Sequence, residues 1–518
     1  MTPEKCDNIL IRGVNWVGDA IMTMPAIRAV RRAYPEARIN LLVRPSVSPL
    51  FEHDPNVDEI ISYSDGYRGL SGKIRLAHLL KQRGFSRAFL LQNAFDAALI
   101  SFLAGIPERV GYKRDGRGML LTRGVPFDLP AKEMHHIDYY LNLMRKAGLD
   151  PVPSKPWIYL LSEERLAAGE TLQPLRRPVV ALNPGAAYGS SKRWPPARFA
   201  EVAVRFMRER DAGVLILGGP KETVIAAEID HGIRQLLSDA RLSGPRDIPV
   251  MNLAGKTTLR ELAALISESD LLITNDSGPM HIGYAVRTPL VAIFGSTSPQ
   301  HTGPVGRDAV VLKKDVDCAP CLERECRRGD LRCMDLISAD EVFDAGLKLI
   351  KTERAVFFDR DGTLCRDAHY LSRMEDFELL PGMDELRLLK DRGFRLIGIT
   401  NQSGIARGRV NENFVREVNN IFIGQYGFDA FYYCPHHPDE HCACRKPEPG
   451  LLYDARADHA IDLKRSFVVG DKDSDMLLAA SVGATGIHVR TGQEGQSPAF
   501  DHSAADLREV VRLINGYL

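Results

Sequence analysis

Short apolar runs that end in small or polar residues recur along the whole chain and restrict the folds open to it. Each run has the length of a buried strand, and stretches with helical spacing of apolar residues separate the runs. Strands that alternate with helices build parallel sheets. The runs fall into three series: "NILIRG", "INLLVRP" and "RAFLLQN"; then "VVALNPG", "GVLILGG", "LLITNDSG" and "PLVAIFG"; then "AVFFD", "RLIGITN", "AFYYC", "SFVVGD" and "GIHV". We therefore predict an α/β protein with three parallel sheets.

The length of the chain agrees with that number. A chain of 518 residues is too long for one core and favours about three domains. Residues 151–178, rich in proline and polar side chains, read as a linker with one helix, and "SADEVFDAGLKLIKTER" reads as the closing helix of the second series. We place the domains at residues 1–170, 171–352 and 353–518, and expect the first two to face each other across a cleft.

Composition excludes several classes of protein. Lys plus Arg and Asp plus Glu both number 67, and a formal charge of zero argues against a dedicated nucleic-acid binder. The opening "MTPEKCDNILIRG" lacks the pattern of a signal peptide, and no apolar run has the length of a membrane span. Seven of the nine cysteines fall in two clusters, which is typical of metal ligands or reduced thiols. We therefore expect the cytoplasm.

Two loops of the second series have the composition of a nucleotide site. The small residues of "PGAAYGSS" let backbone N–H groups approach phosphate oxygens, and Lys192 follows with a positive charge. The alternative is an ordinary βα loop with a surface lysine. In "LLITNDSGPMHIGYA" a strand ends before Asp276 and Ser277, and His281 lies on the first helical turn. Asp276 and Ser277 are also good N-cap residues, but capping does not require His281, so we favour a binding site.

One carboxylate of the first series is placed for catalysis. The stretch "NWVGDAIM" puts Asp19 beside Gly18 at the entry to the first helix, where a carboxylate also stabilises the helix N-terminus. Because this loop should face the cleft, Asp19 is our candidate for deprotonating an acceptor hydroxyl.

Four motifs in the first 350 residues occur in an order that points to a family. They are "VGDAIMTMPAIRAVRRAYP", "NPGAAYGSSKRWP", "GGPKE" and "TNDSGPMHIGYA". Over residues 7–350 the chain resembles the ADP-heptose:lipopolysaccharide heptosyltransferases of glycosyltransferase family 9, and among them the heptosyltransferase II type. The resemblance implies the GT-B fold, a pair of Rossmann-like domains, and inversion at the sugar without a required metal.

The same resemblance implies roles for residues and partners. The donor is ADP-heptose, the acceptor is the lipopolysaccharide core on lipid A, and Asp19 is the base. The second domain binds the donor, with phosphate at Lys192 and the nucleoside end at Glu222. The implied donor contacts are Lys192, Glu222, Asp276, Ser277, Gly278 and His281. Ala187 and Tyr188 depart from the pattern, because some relatives carry hydroxyl residues there.

The first cysteine cluster has two interpretations. The stretch "CAPCLERECRRGDLRC" contains Cys318, Cys321, Cys326 and Cys333. Four cysteines at short spacing can hold zinc or an iron–sulfur cluster. The alternative is a reduced, partly buried loop near the acceptor site. The spacing is not a standard metal-site spacing, so we favour the reduced loop.

The third series opens with the pattern of a phosphoryl-transfer nucleophile. In "FFDRDGTL" a strand ends at Asp359, and Asp361 follows two residues later. A carboxylate that attacks phosphorus forms an aspartyl-phosphate, and a second carboxylate can protonate the leaving oxygen and then activate water. Because both the attacking group and the phosphate are anions, we expect a Mg²⁺ site.

Three later elements of this series supply matching groups. One strand ends at Thr400 and Asn401, which can hydrogen-bond phosphoryl oxygens; "CRKPEPG" supplies Lys446; and "SFVVGDKDSD" ends at Asp471, an expected magnesium ligand, with Asp475 nearby. Because each element follows a strand, all four should meet at one site.

The second cysteine cluster predicts a structural zinc site. In "CPHHPDEHCACRKP" the four proposed ligands are Cys434, His436, Cys442 and Cys444. This set suits tetrahedral zinc and leaves no open position for catalysis. His437 and His441 are rival ligands, and a thiol-rich loop without metal is the alternative.

A second resemblance covers residues 354–518. The motifs "DRDGT", "TNQSGIARG", "YYCPHHP", "CRKP" and "GDK" resemble the D-glycero-D-manno-heptose 1,7-bisphosphate 7-phosphatases, a haloacid dehalogenase (HAD) type with a Rossmann-like fold. It implies Asp359 as nucleophile, Asp361 as acid and base, and magnesium held by Asp359, the Asp361 backbone and Asp471. The implied substrate contacts are Asp367, Tyr370, Thr400, Asn401, Gln402, Ser403, Arg445, Lys446 and Lys472. Histidinol-phosphate phosphatases share these motifs and the zinc loop, and are the alternative.

Taken together, these patterns predict a bifunctional enzyme of lipopolysaccharide inner-core synthesis. We expect Mg²⁺ and structural Zn²⁺ as cofactors, heptose 1,7-bisphosphate and ADP-heptose as substrates, no nucleic-acid partner, and at most peripheral contact with the cytoplasmic face of the membrane. The other alternative is that the first two domains are a degenerate sugar-nucleotide module that no longer catalyses transfer.

Overall fold

The computed structural model describes residues 8–239, 250–440, 442–491 and 502–516. The chain divides into two compact units, Met1–Ile350 and Lys351–Leu518. The first unit contains two parallel sheets and the second contains one. The predicted α/β class with three parallel sheets is confirmed, whereas the domain boundaries placed after residues 170 and 352 stay a prediction.

The first sheet lies in the first part of the first unit. Its strands are β1 (Asn8–Arg12), β2 (Arg38–Val43), β3 (Glu59–Ser62), β4 (Arg87–Leu90), β5 (Glu108–Tyr112) and β6 (Arg123–Val125). The helices of this region are α1 (Val17–Ala33), α2 (Gly69–Gln82), α3 (Phe95–Leu103), α4 (Leu129–Glu133) and α5 (His136–Lys146), and α6 (Ser162–Leu172) leads to the second sheet.

The second sheet completes the first unit. Its strands are β7 (Val179–Asn183), β8 (Gly213–Ile216), β9 (Val250–Asn252), β10 (Leu271–Asn275), β11 (Leu290–Phe294) and β12 (Ala309–Lys313). Its helices are α7 (Pro196–Arg210), α8 (Thr223–Asp239), α9 (Leu259–Glu268), α10 (Gly278–Ala285), α11 (Pro299–Thr302), α12 (Arg332–Asp335) and α13 (Ala339–Leu349).

The third sheet forms the second unit. Its strands are β13 (Arg354–Phe358), β14 (Phe394–Asn401), β15 (Ala430–Cys434), β16 (Phe467–Gly470), β17 (Thr485–Val489) and β18 (His502–Ala504). Its helices are α14 (Arg387–Asp391), α15 (Ser403–Ala406), α16 (Glu412–Tyr426), α17 (Gly450–His459), α18 (Asp473–Val482) and α19 (Leu507–Gly516).

All three sheets share one topology. The strand orders are β3-β2-β1-β4-β5-β6, β12-β11-β10-β7-β8-β9 and β15-β14-β13-β16-β17-β18, and every pair is parallel. In each sheet the first and fourth strands along the chain are neighbours, and the chain runs outward from them in both directions. A crevice forms at such a switch point, outside the carboxyl ends of the two central strands. The topology therefore predicts one ligand site per sheet, at the ends of β1/β4, β7/β10 and β13/β16.

Central strands of these sheets are apolar along their whole length because helices cover both faces. All five residues of β7, β10 and β11 are buried. Local signals also fix the helices: Thr258 and Glu261 form a reciprocal capping box at the start of α9, and Ser338 and Glu341 do the same for α13. No helix in the described part of the chain combines the length and the hydropathy needed to cross a bilayer.

The two units bury separate cores, which leads to a stability prediction. Phe343 is fully buried in the first unit, 4.6 Å from the ring of Phe206. We expect Phe343→Ala to lower the free energy of unfolding of that unit by about 3–5 kcal/mol, because it leaves a cavity. All three tryptophans (16, 157 and 194) precede residue 350, so urea unfolding followed by tryptophan fluorescence reports on the first unit. The matched variant Phe357→Ala, buried in the second unit, should leave this transition in place; an equal shift would contradict separate cores.

Candidate active sites

The carboxyl ends of β13, β14 and β16 surround a cavity of about 320 Å³ in the second unit. It lies at the switch point that the strand order predicts. Eleven residues proposed from the sequence line it: Asp359, Asp361, Asp367, Tyr370, Thr400, Asn401, Gln402, Ser403, Arg445, Lys446 and Lys472. The structure thus brings together residues that are up to 113 positions apart in the chain, from Asp359 to Lys472.

Asp359 lies directly after β13 and is almost fully buried. Its backbone N–H donates to the carbonyl of Val469, 2.9 Å away, which ties the β13 end to β16. Its carboxylate accepts a 2.6 Å bond from Lys446 Nζ. Burial raises the pKa of Asp359 to about 6, with Asp475 and Asp361 acting in the same direction and Lys446 against them.

Lys446 is a buried cation held between two carboxylates. Its Nζ lies 2.6 Å from Asp359 Oδ1 and 2.6 Å from Asp475 Oδ1. Burial alone would lower the pKa of Lys446, but the two carboxylates outweigh burial and raise it. Asp475 was noted in the sequence only as nearby. Its other oxygen accepts from the backbone N–H of Lys472 as an N-terminal cap of α18.

Asp471 is fully buried beside Asp359. Its Oδ1 accepts from Thr363 Oγ1 at 3.4 Å, while its Oδ2 has no hydrogen-bond partner. Burial, followed by repulsion from Asp359, raises the pKa of Asp471 to about 8. Gly362 allows this approach: its φ is +96°, and a Cβ there would lie 2.3 Å from Asp471 Oδ2.

The carboxylates of Asp359, Asp471 and Asp475 supply oxygens that lie within 4.8 Å of one another. The three buried carboxylates carry more negative charge than Lys446 neutralises, and Asp471 Oδ2 has no hydrogen-bond partner. This set of oxygens therefore fits a divalent cation.

Asp361 lines the same cavity. Arg360 holds it with two bonds, Nε to Oδ1 at 3.0 Å and Nη2 to Oδ2 at 2.9 Å, and Gln402 Nε2 donates to Oδ2 at 2.7 Å. Burial would raise the pKa of Asp361, but the Arg360 guanidinium outweighs it and lowers the pKa. The sequence analysis missed Arg360 because its place inside "DRDGT" does not show which way its side chain turns.

Cationic groups complete the cavity wall. Lys472 Nζ lies 3.0 Å from Asp367 Oδ2, and the carboxylates around Lys472, with Asp471 foremost, outweigh burial and raise its pKa. Arg445 has a buried Nη1 without a hydrogen-bond partner in the described structure. A free donor next to two lysines suits a phosphate group.

Cys434, His436, Cys442 and Cys444 come together at the end of β15. The distances between their ligand atoms are 3.2–3.5 Å for the four closest pairs. Four ligands at about 2.3 Å from a tetrahedral zinc lie about 3.7 Å apart, so the set needs only a small expansion to hold the ion. The rival His437 instead places Nδ1 3.2 Å from Asp439 Oδ2, and the other rival, His441, lies outside the described residues.

This cluster is joined to residues that line the cavity. Cys444 is followed directly by Arg445 and Lys446. Asn401 fixes that segment by a reciprocal pair of bonds, accepting from the Lys446 N–H at 3.0 Å and donating to the Lys446 carbonyl at 3.2 Å. The backbone N–H of Gln402 also donates to the carbonyl of Cys434 at 2.8 Å, so both ends of the cluster are joined to the end of β14.

In the first unit, the loops after β1 and β10 meet. A Cβ on Gly18 would lie 2.5 Å from Cδ2 of His281, so only glycine permits this contact. Asp19 follows in the first turn of α1 with a third of its side chain exposed, 3.4 Å from Nδ1 of His136. The predicted base thus directly follows the glycine that contacts His281 of α10. Sequence reasoning missed His136, since no motif links α5 to α1.

His281 is buried, and the charges of Asp276 and Asp19 both act on it. Burial lowers the pKa of His281 to about 4, against the opposing effect of the two carboxylates. The imidazole is therefore neutral near pH 7 and offers a hydrogen bond rather than a charge.

Lys192 pairs with Asp276 across the ends of β7 and β10. Its Nζ lies 2.5 Å from Asp276 Oδ2, and Thr297 Oγ1 donates to the same oxygen at 2.5 Å. The ring of Tyr188 lies 4.7 Å from the Lys192 Nζ. Ser277 is held by Asn183, whose Nδ2 donates to its Oγ at 3.1 Å. The predicted donor residues of these two loops therefore share one edge of the sheet.

Glu222 joins the loops after β7 and β8. Its Oε2 accepts a 2.7 Å bond from the backbone N–H of Gly219. Its carboxylate covers Gly185 so closely that a Cβ there would lie 1.9 Å from Oε1. Gly278, the first residue of α10, packs against Val17 at the start of α1, with 3.1 Å between its ideal Cβ and that side chain.

The first cysteine segment packs on the loop after β7. Tyr188 donates to the carbonyl of Leu322 at 2.6 Å, and the Ser191 N–H donates to the carbonyl of Arg324 at 3.1 Å. Among the described residues, two groups of side chains bring possible metal-ligand atoms within 4.8 Å of one another. The four cysteines of this segment form neither of these groups. Cys333 is buried and Cys321 is exposed.

Comparison with known proteins follows this division. The model of glycosyltransferase family 9 (heptosyltransferase) matches residues 73–331, half of the chain, and a HAD-hydrolase-like model matches residues 443–511. Lipopolysaccharide heptosyltransferase 2 of Salmonella typhimurium is 32% identical over 315 residues, covering 59% of this chain and 87% of that protein. The structure of Escherichia coli ADP-heptose LPS heptosyltransferase II superposes with a TM-score of 0.56 at 29% identity, covering 66% of this chain and 98% of that one.

The second unit has its own relatives. D-glycero-beta-D-manno-heptose-1,7-bisphosphate 7-phosphatase of Helicobacter pylori (strain J99) is 45% identical over 170 residues, which cover 32% of this chain and 98% of that protein. The chain therefore belongs to glycosyltransferase family 9 through its first unit and to the HAD-type heptose bisphosphate phosphatases through its second.

Proposed function

We propose that this chain is a bifunctional enzyme of lipopolysaccharide heptose biosynthesis. Its first unit transfers heptose from ADP-heptose to the lipopolysaccharide core, and its second unit hydrolyses the 7-phosphate of D-glycero-D-manno-heptose 1,7-bisphosphate. The observation that carries this proposal is the joining, in one chain, of two complete polar sites whose relatives are both named for heptose chemistry.

In the phosphatase, Asp359 attacks the 7-phosphate. A carboxylate oxygen forms a bond to phosphorus, the bond from phosphorus to the heptose oxygen breaks, and Asp361 donates the proton that this oxygen takes up. Asp361 is paired with Arg360 at rest, which favours its ionised form. The incoming phosphate dianion adds negative charge beside Asp361 and so favours the protonated form that this step requires.

The second step regenerates Asp359. Asp361, now ionised and held again by Arg360 and Gln402, removes a proton from water as the water oxygen attacks phosphorus. The bond between Asp359 and phosphorus breaks, and inorganic phosphate leaves. Lys446 stays paired with Asp359 and Asp475 and compensates their charge when the phosphate enters.

Metal ions complete the site in this proposal. Asp359, Asp471 and the backbone of Asp361 would hold Mg²⁺, and Asp475 belongs to the same carboxylate group. Bound Mg²⁺ neutralises phosphoryl oxygens that would otherwise repel the attacking carboxylate. The Cys434–Cys444 cluster would hold Zn²⁺ as a structural ion and keep Arg445 and Lys446 in the cavity.

In the transferase, Asp19 removes the proton of the acceptor hydroxyl. The acceptor oxygen attacks the anomeric carbon of heptose, and the bond from that carbon to the ADP diphosphate breaks on the opposite face. Lys192 compensates charge on the departing diphosphate once it exchanges Asp276 for phosphate. Glu222 contacts the nucleoside end of ADP-heptose, and Ser277, Gly278 and His281 hold the donor from the β10 loop.

The two alternatives are less well supported. A histidinol-phosphate phosphatase is not favoured, because two similar proteins that match the second unit are heptose bisphosphate phosphatases. A degenerate first unit is not favoured either, because the residues expected to catalyse transfer are present and interact. Lys192 pairs with Asp276, Asp19 lies beside His136, and both carboxylates act on the pKa of His281. Product analysis with heptose 1,7-bisphosphate, histidinol phosphate, and ADP-heptose plus a core acceptor tests all three. Cytoplasmic location stays a prediction.

Asp359→Asn should lower the kcat of bisphosphate hydrolysis at least about 10³-fold, because an amide cannot form the aspartyl-phosphate. Phosphate release assays on the full chain measure this effect. Heptose transfer should be unchanged, since Asp359 belongs to the second unit. Loss of both activities would refute independent sites.

Asp19→Asn should reduce heptose transfer by about 10²–10⁴-fold in kcat with little change in the KM for ADP-heptose, because only the proton acceptor is lost. Asp115→Asn, an exposed carboxylate of the same unit, is the matched control and should transfer at the normal rate. Normal turnover by Asp19→Asn would exclude Asp19 as the base.

Cys442→Ser should remove zinc from the purified chain and reduce phosphatase activity, because Arg445 and Lys446 follow the cluster directly. Elemental analysis should give one zinc per chain for the natural protein and for Cys321→Ser, an exposed cysteine in the other cluster. A zinc-free natural protein with full activity would contradict the structural role.

A further inference from the structure

The first cysteine segment, residues 318–333, takes no part in either proposed reaction, yet it is fastened to the loop that carries Lys192. That loop donates hydrogen bonds to three successive carbonyl groups of the segment, those of residues 322–324. The donors are the hydroxyl groups of Tyr188 and Ser191 and the backbone N–H of Ser191. Three bonds to consecutive peptide units fix both the position and the direction of this part of the segment.

The backbone conformation of the segment also depends on this contact. Leu322 has a φ of +58°, a left-handed conformation that costs a non-glycine residue free energy. Hydrogen bonds on both sides of Leu322 offset that cost, because its N–H donates to the Ser296 carbonyl at 2.8 Å and its carbonyl accepts from Tyr188 at 2.6 Å. The close approach requires a glycine as well, since a Cβ on Gly189 would lie 2.0 Å from the carbonyl oxygen of Arg324.

This placement brings a second cation to the ring of Tyr188. The guanidinium carbon of Arg324 lies 5.5 Å from the ring centroid, and Lys192 Nζ lies 4.7 Å from the same centroid. Arg324 is exposed and forms no ion pair with a carboxylate of the described residues, whereas the neighbouring Glu323 is paired with Arg327. Two cations that contact one ring repel each other, so an anion that contacts both stabilises the arrangement.

Two hydroxyl groups of the loop after β7 are already used within the protein. Tyr188 and Ser191 donate their hydroxyl hydrogens to the cysteine segment, and Ala187 has no polar side chain. A phosphate group at this loop therefore needs further donors from another part of the chain. A guanidinium suits that need, because its planar N–H groups can form two parallel hydrogen bonds to phosphate oxygens.

We propose that Arg324 is a donor-binding residue that contacts the diphosphate of the sugar nucleotide together with Lys192. Lys192 supplies a compact charge, and Arg324 supplies a planar pair of donors on the side of the cysteine segment. This inference rests on the proposed function, because its ligand is the ADP part of ADP-heptose. It also gives the first cysteine segment a role at the donor site, and that role requires no metal ion at its cysteines.

Calorimetric titration of the full chain with ADP, and with adenosine as the ligand that lacks phosphate, tests the proposal. Arg324→Gln should weaken ADP binding about tenfold, because hydrogen bonds from a cation to phosphate are lost, and should leave adenosine binding unchanged. Arg324→Lys keeps the charge but not the planar pair of donors, and should recover part of the ADP affinity.

A matched variant separates this contact from the general charge of the segment. Arg332 is another exposed arginine of the first cysteine segment, and Arg332→Gln should bind ADP and adenosine as the natural chain does. Because all three tryptophans precede residue 350, an unchanged unfolding transition in tryptophan fluorescence shows that the first unit of each variant is folded.

Three outcomes would overturn the proposal. Equal ADP affinity of Arg324→Gln and the natural chain would show that Arg324 is a solvated surface residue, and would leave the proposed function intact. Equal loss of ADP and adenosine binding would show that Arg324 acts only through the shape of the loop, and equal loss in Arg332→Gln would show an effect of general charge. If ADP binding depends on Arg324 but no acceptor receives heptose, the proposed transfer fails and the ADP contact stands.

Discussion

The strand order of the three sheets is the constraint on which the rest of the structure depends. Because the chain leaves the two central strands in opposite directions, their loops part and leave a crevice at each switch point. Polar side chains, which would cost free energy if buried inside a sheet, lie in these crevices. The neighbouring strands are apolar and need no polar partners. Asp359 and Asp471 follow β13 and β16, and Asn183 and Asp276 lie at the ends of β7 and β10. The topology of the sheets therefore determines where both sites lie, whichever residues occupy them.

Both sites compensate the charge of a buried aspartate with a neighbouring lysine. Each keeps a lysine against an aspartate at hydrogen-bond distance, Lys446 with Asp359 and Lys192 with Asp276. Burying a lone charge costs free energy, whereas a buried ion pair is tolerated. They differ in burial: Lys446 has two carboxylate partners and an almost fully buried side chain, while the side chain of Lys192 is more exposed. The phosphatase lysine therefore balances a fixed cluster, and the transferase lysine is available to a ligand.

Much of this organisation is predictable from the sequence because it is local. Strand ends and loop residues follow from periodicity and composition, so Asp359, Thr400, Lys446 and Asp471 can be assigned to one cavity from the order of the amino acids alone. Pairings between elements are not local. The turn of Arg360 onto Asp361 and the approach of His136 to Asp19 depend on side-chain directions and on helix packing that no motif encodes. Sequence reasoning named Asp475 but gave it no role. Its side chain caps α18 and also contacts Lys446, and the second contact cannot be inferred from the sequence.

Joining the two activities in one chain does not require that product pass directly between the sites. Hydrolysis of the 7-phosphate leaves a sugar 1-phosphate, whereas the transferase needs a sugar nucleotide, so a nucleotidyl transfer must intervene. The units also keep separate hydrophobic cores. What a covalent link does provide is a fixed ratio of the two activities and a shared location.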